Sequence, residues 1–252
     1  MHILKGYTKQ EISWMMYDWA NSAHSVIIVT LLPIFFDTVA GYTADSVSSM
    51  STWGYATSIA MLIVALAAPF LGVFGDIRGM RKKLFSFFML LGVAACAGMA
   101  FTPGMDFTSG PVAAGKVASL ILVLYIVSVI GFDASAIYYD AFLTDVTIED
   151  RMDKVSTMGY GLGYIGGSTI PLLIFLIMKL VGVPMLTCLA FVFGLTAVWW
   201  LAFSLPLLKN CEQTSGKPYE KGDVARSIKG VGTTIKEIIA NKPMLIYILS
   251  YF

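Results

Sequence analysis

The stretch whose residue types could do chemistry is YDWANSAHS, at residues 17–25 of the 252-residue chain. It places a carboxylate, a carboxamide and an imidazole in a segment that continues into the apolar run VIIVTLLPIFF. Ionisable groups within a membrane helix are costly, so by default they face a bundle interior or water. At 100° per residue the polar side chains share one arc, which should face a central cavity. The arc holds Tyr17, Asp18, Asn21, His24 and Ser25, and it excludes Trp19, Ala20, Ala23, Val26 and Ile27.

Composition tells us which kind of element must position this stripe. The chain is 57% hydrophobic and 13% charged, whereas soluble domains carry about 25% charged residues. We therefore predict a membrane protein, and the net charge of +1 gives no reason to expect a nucleic-acid partner. The three cysteines, Cys96, Cys188 and Cys211, are too scattered for a disulfide framework.

Six stretches are apolar and long enough to cross the ~30 Å hydrocarbon layer as helices. They are residues 13–36, 51–74, 84–101, 117–139, 156–180 and 184–208. A seventh begins at Pro243 and reaches about half the required length by residue 252, so we expect a truncated chain. This divides the sequence into a six-helix bundle (1–208), a cytoplasmic linker with an amphipathic helix (209–242) and the start of transmembrane helix 7 (243–252).

Lysine and arginine placement orients the predicted bundle. All of the 17 basic residues except Lys116 and Lys179 lie on one side of the alternating path, which predicts a cytoplasmic N-terminus and linker. Within the linker, EQTSGKPYEKGD (212–223) is expected to be flexible. The following segment has apolar residues at helical spacing, which fits either a helix on the membrane surface or an ordinary connecting helix. Those residues are Ile228, Val231, Ile235, Ile238 and Ile239, with Lys229 and Lys236 on the other face.

The loop between spans two and three reads GVFGDIRGMRKK (72–83). Gly72 and Gly75 should allow close helix packing, Asp76 could cap or pair at a helix end, and Gly79 permits a tight turn. Six spans, this loop, a long linker and a seventh span resemble the N-terminal half of the major facilitator superfamily. The resemblance implies an all-α membrane fold of two three-helix inverted repeats, with substrate bound near the midplane between two halves.

Three motifs, YDWANSAHS, YYDAFLTDV (138–146) and GYGLGYIGG (159–167), resemble the vacuole-effluxer-like branch of that superfamily. The best-described members export amino acids from the yeast vacuole. This implies a secondary active transporter of a small solute, such as amino acids or related metabolites, working by alternating access. The chain departs from the superfamily in two respects. Span four carries Asp133 rather than an arginine, and Tyr164 stands where a proline is expected, so we carry over neither a proton-coupling scheme nor antiport.

The resemblance and the stripe together give three sets of candidate residues. Gly159, Gly163 and Gly167 leave one helix face without side chains, so that another helix can approach closely. This face serves either static packing or sliding against the missing half. The predicted substrate pathway contains Tyr17, Asp18, Asn21, His24, Asp133, Tyr160 and Tyr164, with His24 as a proton-sensitive member. The predicted cytoplasmic gate contains Gly72, Asp76, Arg78, Gly79, Arg81 and Arg151. Within the loop TDVTIEDRMDKVS (144–156), Arg151 either belongs to a solvated cytoplasmic turn with helix caps or pairs with Asp76 as part of the gate. For Asp18, local capping or pairing near the membrane surface is the alternative.

Other function classes find less support. No Ser-His-Asp, P-loop or Rossmann pattern is present, and no His/Cys/carboxylate cluster has metal-ligand spacing, so we expect neither an enzyme nor a cofactor. A non-transporting membrane sensor or a lipid-handling protein is the alternative to a transporter. The expected partners are a small solute, protons, the lipid bilayer and a C-terminal half, with the protein spanning the cell inner or plasma membrane several times.

Overall fold

A computed structural model describes residues 4–43, 49–218 and 223–250. Within these residues six helical spans are long and apolar enough to cross a membrane, so the predicted span number and the all-α class are confirmed. The helices are α1 (Lys9–Ala40), α2 (Ser49–Gly75), α3 (Arg81–Met99), α4 (Pro111–Val146), α5 (Glu149–Leu162), α6 (Thr169–Leu180), α7 (Met185–Asn210), α8 (Asp223–Ala240) and α9 (Lys242–Leu249). The fifth span is α5, a π-helical turn at Gly163–Ser168 and α6, in one continuous helix.

Most helices run past the apolar limits predicted from sequence, because local signals fix their ends outside the apolar run. At the start of α1, Thr8 and Glu11 form a capping box in which each side chain accepts from the other's backbone N–H, at 3.1 and 2.7 Å. Such a box satisfies two of the N–H groups that a helix start leaves unpaired. At the start of α4, Gly110 has a φ of 146° and Pro111 follows it, which begins that helix abruptly.

The core of the six-helix unit lies around α1, which contacts α4, α5, the π turn and α7. Helix α3 packs between α4 and α7, and Gly92 and Gly131 allow its backbone to approach α4 closely, since a Cβ on Gly131 would meet Phe88 O at 2.8 Å. Trp200 of α7 fills the centre and is fully buried. Helix α2 is the least buried of the spans and contacts α4 and α8.

The linker segment that was predicted to be amphipathic is helical, as α8, and it contacts α2 and α9. Its position on the membrane surface stays a prediction. Residues 219–222, in the part of the linker expected to be flexible, lie outside the described residues.

Candidate functional site

The polar stripe of α1 does not all face one cavity. Tyr17 is fully buried; its hydroxyl lies 2.7 Å from Ser135 Oγ and accepts a hydrogen bond from Trp200 Nε1 at 3.3 Å. These partners belong to α4 and α7, so Tyr17 lies in the unit's own core. Placing it in the substrate pathway was therefore wrong. The helical arc gives directions around α1, but it does not reveal which neighbours cover each direction.

The prediction that His24 lies in the substrate pathway is wrong for the same reason. It is 2% exposed, with Nε2 3.2 Å from Ser128 Oγ and its ring stacked on Phe132 at a centroid distance of 4.7 Å. Its Nδ1 is buried without a hydrogen-bond partner among the described residues. With Phe132 and Trp200 against its ring and almost no exposure to solvent, His24 is a core residue of the six-helix unit.

Asp18 lies at the edge of the stripe and is only partly buried. Its Oδ2 accepts a hydrogen bond from Tyr139 Oη in α4 at 2.8 Å, and its charge interacts with that of Asp140. Asp18 takes part in none of the ion pairs found among the described residues. Asp18 therefore does not cap or pair locally within α1, which was the alternative. Its hydrogen-bond partner, Tyr139, belongs to α4.

Helix α4 brings a second acidic row to the same region. Asp133 and Asp140 are seven residues apart, which puts them on nearly the same face about 10 Å apart along the helix. Asp140 is exposed and Asp133 is partly buried. Tyr139 and Asp140 were missing from the predicted site. The sequence signal for them was the motif YYDAFLTDV, which contains both residues.

Asn21, one turn further along α1 from Asp18, is only 8% exposed. The structure gives its carboxamide no hydrogen-bond partner among the described residues. Neither of its amide atoms is among the buried side-chain atoms that lack a hydrogen-bond partner in the described residues, so both reach the surface of the six-helix unit. The carboxamide can therefore donate to, and accept from, water or a solute at that surface.

Tyr160 and Tyr164, on successive turns of the fifth span, are largely exposed, at 64% and 59%. Their hydroxyls lie 3.0 Å apart and their ring centroids 4.8 Å apart. Gly159, the residue before Tyr160, lies directly against Asp18, since a Cβ added there would come within 2.7 Å of Oδ2, so the pair begins beside the carboxylate. Together with Asp18, Asp140 and Asn21, they form what we call the acidic-aromatic face.

The glycines of the fifth span lie against α1. A Cβ on Gly159 would come within 2.7 Å of Asp18 Oδ2, and one on Gly163 within 2.6 Å of Ser22 Oγ. A Cβ on Gly167 would overlap the carbonyl oxygen of Trp19. The glycine face therefore packs against α1 within the six-helix unit. Of the two alternatives, static packing agrees with the structure, and the prediction that this face slides against another half is wrong. The π turn starting at Gly163 was not foreseen; such turns are rare and often found at functional sites.

The predicted gate residues lie at one end of the unit, which we call the basic end; it carries the start of α1, loop 76–80 and segment 211–217. Arg81 is 4% exposed and forms an ion pair with Asp145, whose side chain is fully buried. Asp76 is a minor partner, 3.9 Å from Arg81 with its own side chain 81% exposed. Gly79 has a φ of 80°, in the left-handed region that favours glycine.

Two expectations about this end are wrong. Arg151 does not pair with Asp76; its Nε and Nη2 donate to both carboxylate oxygens of Glu11 at 2.9 Å. Glu11 is available because the capping box holds it at the start of α1, beside the α4–α5 corner. Gly72 meets nothing within 4 Å of an added Cβ, and Gly75 is the close-packing glycine, 3.0 Å from Tyr138.

Segment 211–217 is bound to the basic end, which contradicts the flexibility expected for its residues. Gln213 Oε1 accepts from the backbone N–H of Gly79 and Arg81 at 2.8 and 3.2 Å, and its Nε2 donates to Gly75 O at 3.0 Å. Lys217 exchanges backbone hydrogen bonds with Asp76 and Arg78. The polar composition of this segment suggested that its groups bond to water. They bond instead to side-chain and backbone groups of the basic end.

Asp145 joins the same network from α4. Its Oδ1 accepts from the backbone and hydroxyl groups of Thr214 and Ser215 at 2.8–3.0 Å. One carboxylate thus connects α4, Arg81 at the start of α3 and the segment after α7. Among the described residues no group of three His, Cys, Asp or Glu side chains is placed to hold a metal ion.

Cys211 reports on whether segment 211–217 stays bound. Burial raises the pKa of its thiol from 9.0 to about 12, an effect that the nearby Lys82 partly opposes. In a variant with Cys96 and Cys188 replaced by alanine, we expect maleimide to alkylate Cys211 at pH 9 about a thousandfold more slowly than an exposed thiol, because the thiolate fraction is that much smaller. Gln213→Ala removes three hydrogen bonds and should speed alkylation at least about tenfold by easing local opening.

The matched control is Glu212→Ala, which changes an exposed neighbour for which no hydrogen bond is found among the described residues. This variant should alkylate at the parental rate. Equal acceleration in Gln213→Ala and Glu212→Ala would mean that the Gln213 hydrogen bonds do not hold the segment.

Comparisons with known proteins agree with this architecture. The family model described as "Vacuole effluxer Atg22 like" matches residues 42–252. The chain is 38% identical, over 258 aligned positions, to the "Uncharacterized MFS-type transporter YxiO" of Bacillus subtilis (strain 168). That alignment covers 99% of this chain but only 58% of the relative, so the chain spans little more than half of the relative's length.

Proposed function

The chain belongs to the vacuole effluxer Atg22-like family of MFS-type transporters, and on that premise we propose that it is the N-terminal half of a secondary transporter for a small solute. In this proposal residues 1–208 form one half of the transporter, 209–242 the cytoplasmic linker and 243–252 the start of the other half. The solute path runs between the halves, and the protein moves the solute by alternating access.

The acidic-aromatic face is the observation that carries the proposal. It places two carboxylates and two tyrosine hydroxyls on membrane-spanning helices, and the six-helix unit covers Asp18 only in part and leaves the other three residues exposed. Such groups are too costly to leave against lipid, so a protein partner or a water-filled path must cover them. A second half with a solute path between the two supplies both.

The basic end supplies the cytoplasmic closure in this proposal. The Arg81–Asp145 pair and segment 211–217 hold α2, α3, α4 and the end of α7 as one rigid piece. Asp76 remains exposed and free to bond across to the second half when that end closes. Asp133, Tyr160 and Tyr164 remain candidates for the path, with amino acids or related metabolites as its solutes and protons as a candidate coupling ion.

Transport by the full-length protein tests this proposal. In proteoliposomes loaded with an amino-acid panel, we expect counterflow of at least one labelled solute, and Asp18→Asn should reduce it by about ten- to a hundredfold. The reason is that a hydrogen bond to a charged group contributes ~1.5–3 kcal/mol, here in contacts with solute and Tyr139. Measurements at pH 5 to 8 show whether a titrating group takes part.

The matched control is Asp106→Asn. Asp106 is exposed and lies in the α3–α4 loop, hydrogen-bonded only to Thr108 and Ser109 among the described residues. Counterflow should keep its parental rate in this variant. Parental counterflow in Asp18→Asn as well would remove Asp18 from the path. An absence of counterflow for every solute, together with binding of lipid in a lateral opening, would favour a lipid-handling protein.

A further inference from the structure

We infer that the acidic-aromatic face selects solutes that carry a cationic group, such as a primary or quaternary ammonium. The inference rests on the proposed function, because it names the solute class of the same site. It draws on three features of the described residues: the sign of the charges, the exposed aromatic rings and an unpartnered carboxamide.

All the charges on this face have one sign. Asp18 and Asp140 interact electrostatically, and Asp133 lies on α4 two turns before Asp140. Neither α1 beyond Lys9 nor α4 beyond Lys116 contains a lysine or arginine. Arg81 of α3 reaches Ala141 O but pairs with Asp145, and among the described residues none of these three carboxylates takes part in an ion pair. A cation on the solute is the simplest complement.

The aromatic pair suits the same ligand. Tyr160 and Tyr164 expose much of their rings, and the rings lie at 56° to each other. An ammonium group is attracted to the face of a tyrosine ring within about 6 Å of its centroid. A carboxylate beside two tilted rings combines a charge partner with a surface for the carbon atoms around an ammonium.

Asn21 is the independent sign of a ligand. The residue is only 8% exposed, its carboxamide has no hydrogen-bond partner among the described residues, and it lies one turn from Asp18 on the side of α1 that carries Ser25. Its amide atoms reach the surface of the unit, where they can bond to water or to a solute. A solute that donates an N–H to Asp18 can also donate to the Asn21 oxygen, which satisfies both groups at once.

The test measures the local charge preference without knowing the solute. A reporter cysteine replaces Tyr160 in full-length protein that lacks the native cysteines, and its rate of reaction is compared for cationic and anionic methanethiosulfonates. After correction for each reagent's rate with a free thiol, the cationic reagent should react on the order of tenfold faster. Asp18→Asn and Asp140→Asn should each reduce that preference, whereas Asp106→Asn should not. A reporter at Ser25 repeats the measurement should the Tyr160→Cys protein fold poorly.

Protection experiments then identify the ligand class. We expect methylammonium, glycine methyl ester or phenethylamine to slow labelling, and their N-acetylated counterparts to have no effect. Asn21→Ala should weaken protection about tenfold and leave the charge preference of the reagents unchanged.

The outcomes separate this inference from the proposed function. Equal reaction with both reagents, or protection by the N-acetylated probes alone, overturns the cationic class while leaving a water-filled path in place. Reaction at neither reporter from either side of the membrane overturns the path itself, and with it the inference. A preference that survives both Asp18→Asn and Asp140→Asn also overturns the inference.

Discussion

Replacing Asp145 by alanine is expected to lower the free energy of unfolding by about 3–5 kcal/mol, because it removes the buried carboxylate that directly contacts the buried Arg81 guanidinium. Arg81 has a side chain only 5% exposed, and that of Asp145 is fully buried. Asp145 also accepts four hydrogen bonds from Thr214 and Ser215, so segment 211–217 should loosen in the same variant. Titration with a denaturing detergent, followed by tryptophan fluorescence, measures the loss.

Asp76→Asn is the matched control, because it removes the other carboxylate near Arg81. Its side chain is exposed and 3.9 Å away, and exposed ion pairs contribute about 0–1 kcal/mol. The double variant Arg81→Met with Asp145→Leu should be less destabilised than Asp145→Ala alone, since no buried charge is left unpaired. Equal losses in Asp145→Ala and Asp76→Asn would contradict the pairing described here.

Gly167→Ala is expected to destabilise the protein by about 3 kcal/mol, at the upper end of what overpacking costs. The added Cβ would overlap the backbone carbonyl oxygen of Trp19 and come within 2.8 Å of Ser22 Cβ. A backbone atom cannot turn aside as a long side chain can, so α1 and the π turn must move apart. The same denaturation measurement checks the value.

Gly161→Ala is the control on the same span, where an added Cβ meets nothing within 4 Å. It should be neutral or stabilise the protein by up to about 1 kcal/mol, because alanine favours a helix more than glycine does. If Gly167→Ala is as stable as Gly161→Ala, the fifth span does not pack on α1 as closely as the structure has it.

The spans could be predicted because lipid imposes a single rule. A backbone that crosses a bilayer must satisfy its own hydrogen bonds, so apolar length alone indicates a helix. The rule contains nothing about the π turn at Gly163, which depends on how closely glycines let the fifth span approach Trp19 and Ser22. The start of α1 at Thr8 and Glu11 was also missed, since both residues precede the apolar run that begins at residue 13.

The candidate site could be predicted only in part, for a different reason. Spacing placed Tyr17, Asp18 and His24 on one arc, but whether an arc faces solute or a neighbouring helix depends on tertiary packing. Trp200 and Ser135, both remote in sequence, bury Tyr17. Arg151 likewise found Glu11 rather than Asp76, because the capping box and the α4–α5 corner meet only in the folded chain.

The central claim is that the acidic-aromatic face is one wall of a path that opens alternately to the two sides of the membrane. Labelling of Ser25→Cys with a membrane-impermeant maleimide, applied separately to each side of the full-length protein, tests it most directly. The account predicts reaction from both sides, with a solute that is transported shifting the balance between them. Reaction from neither side, while a lipid-soluble maleimide labels the same cysteine, would contradict it, because the face would then lie against lipid or sealed protein.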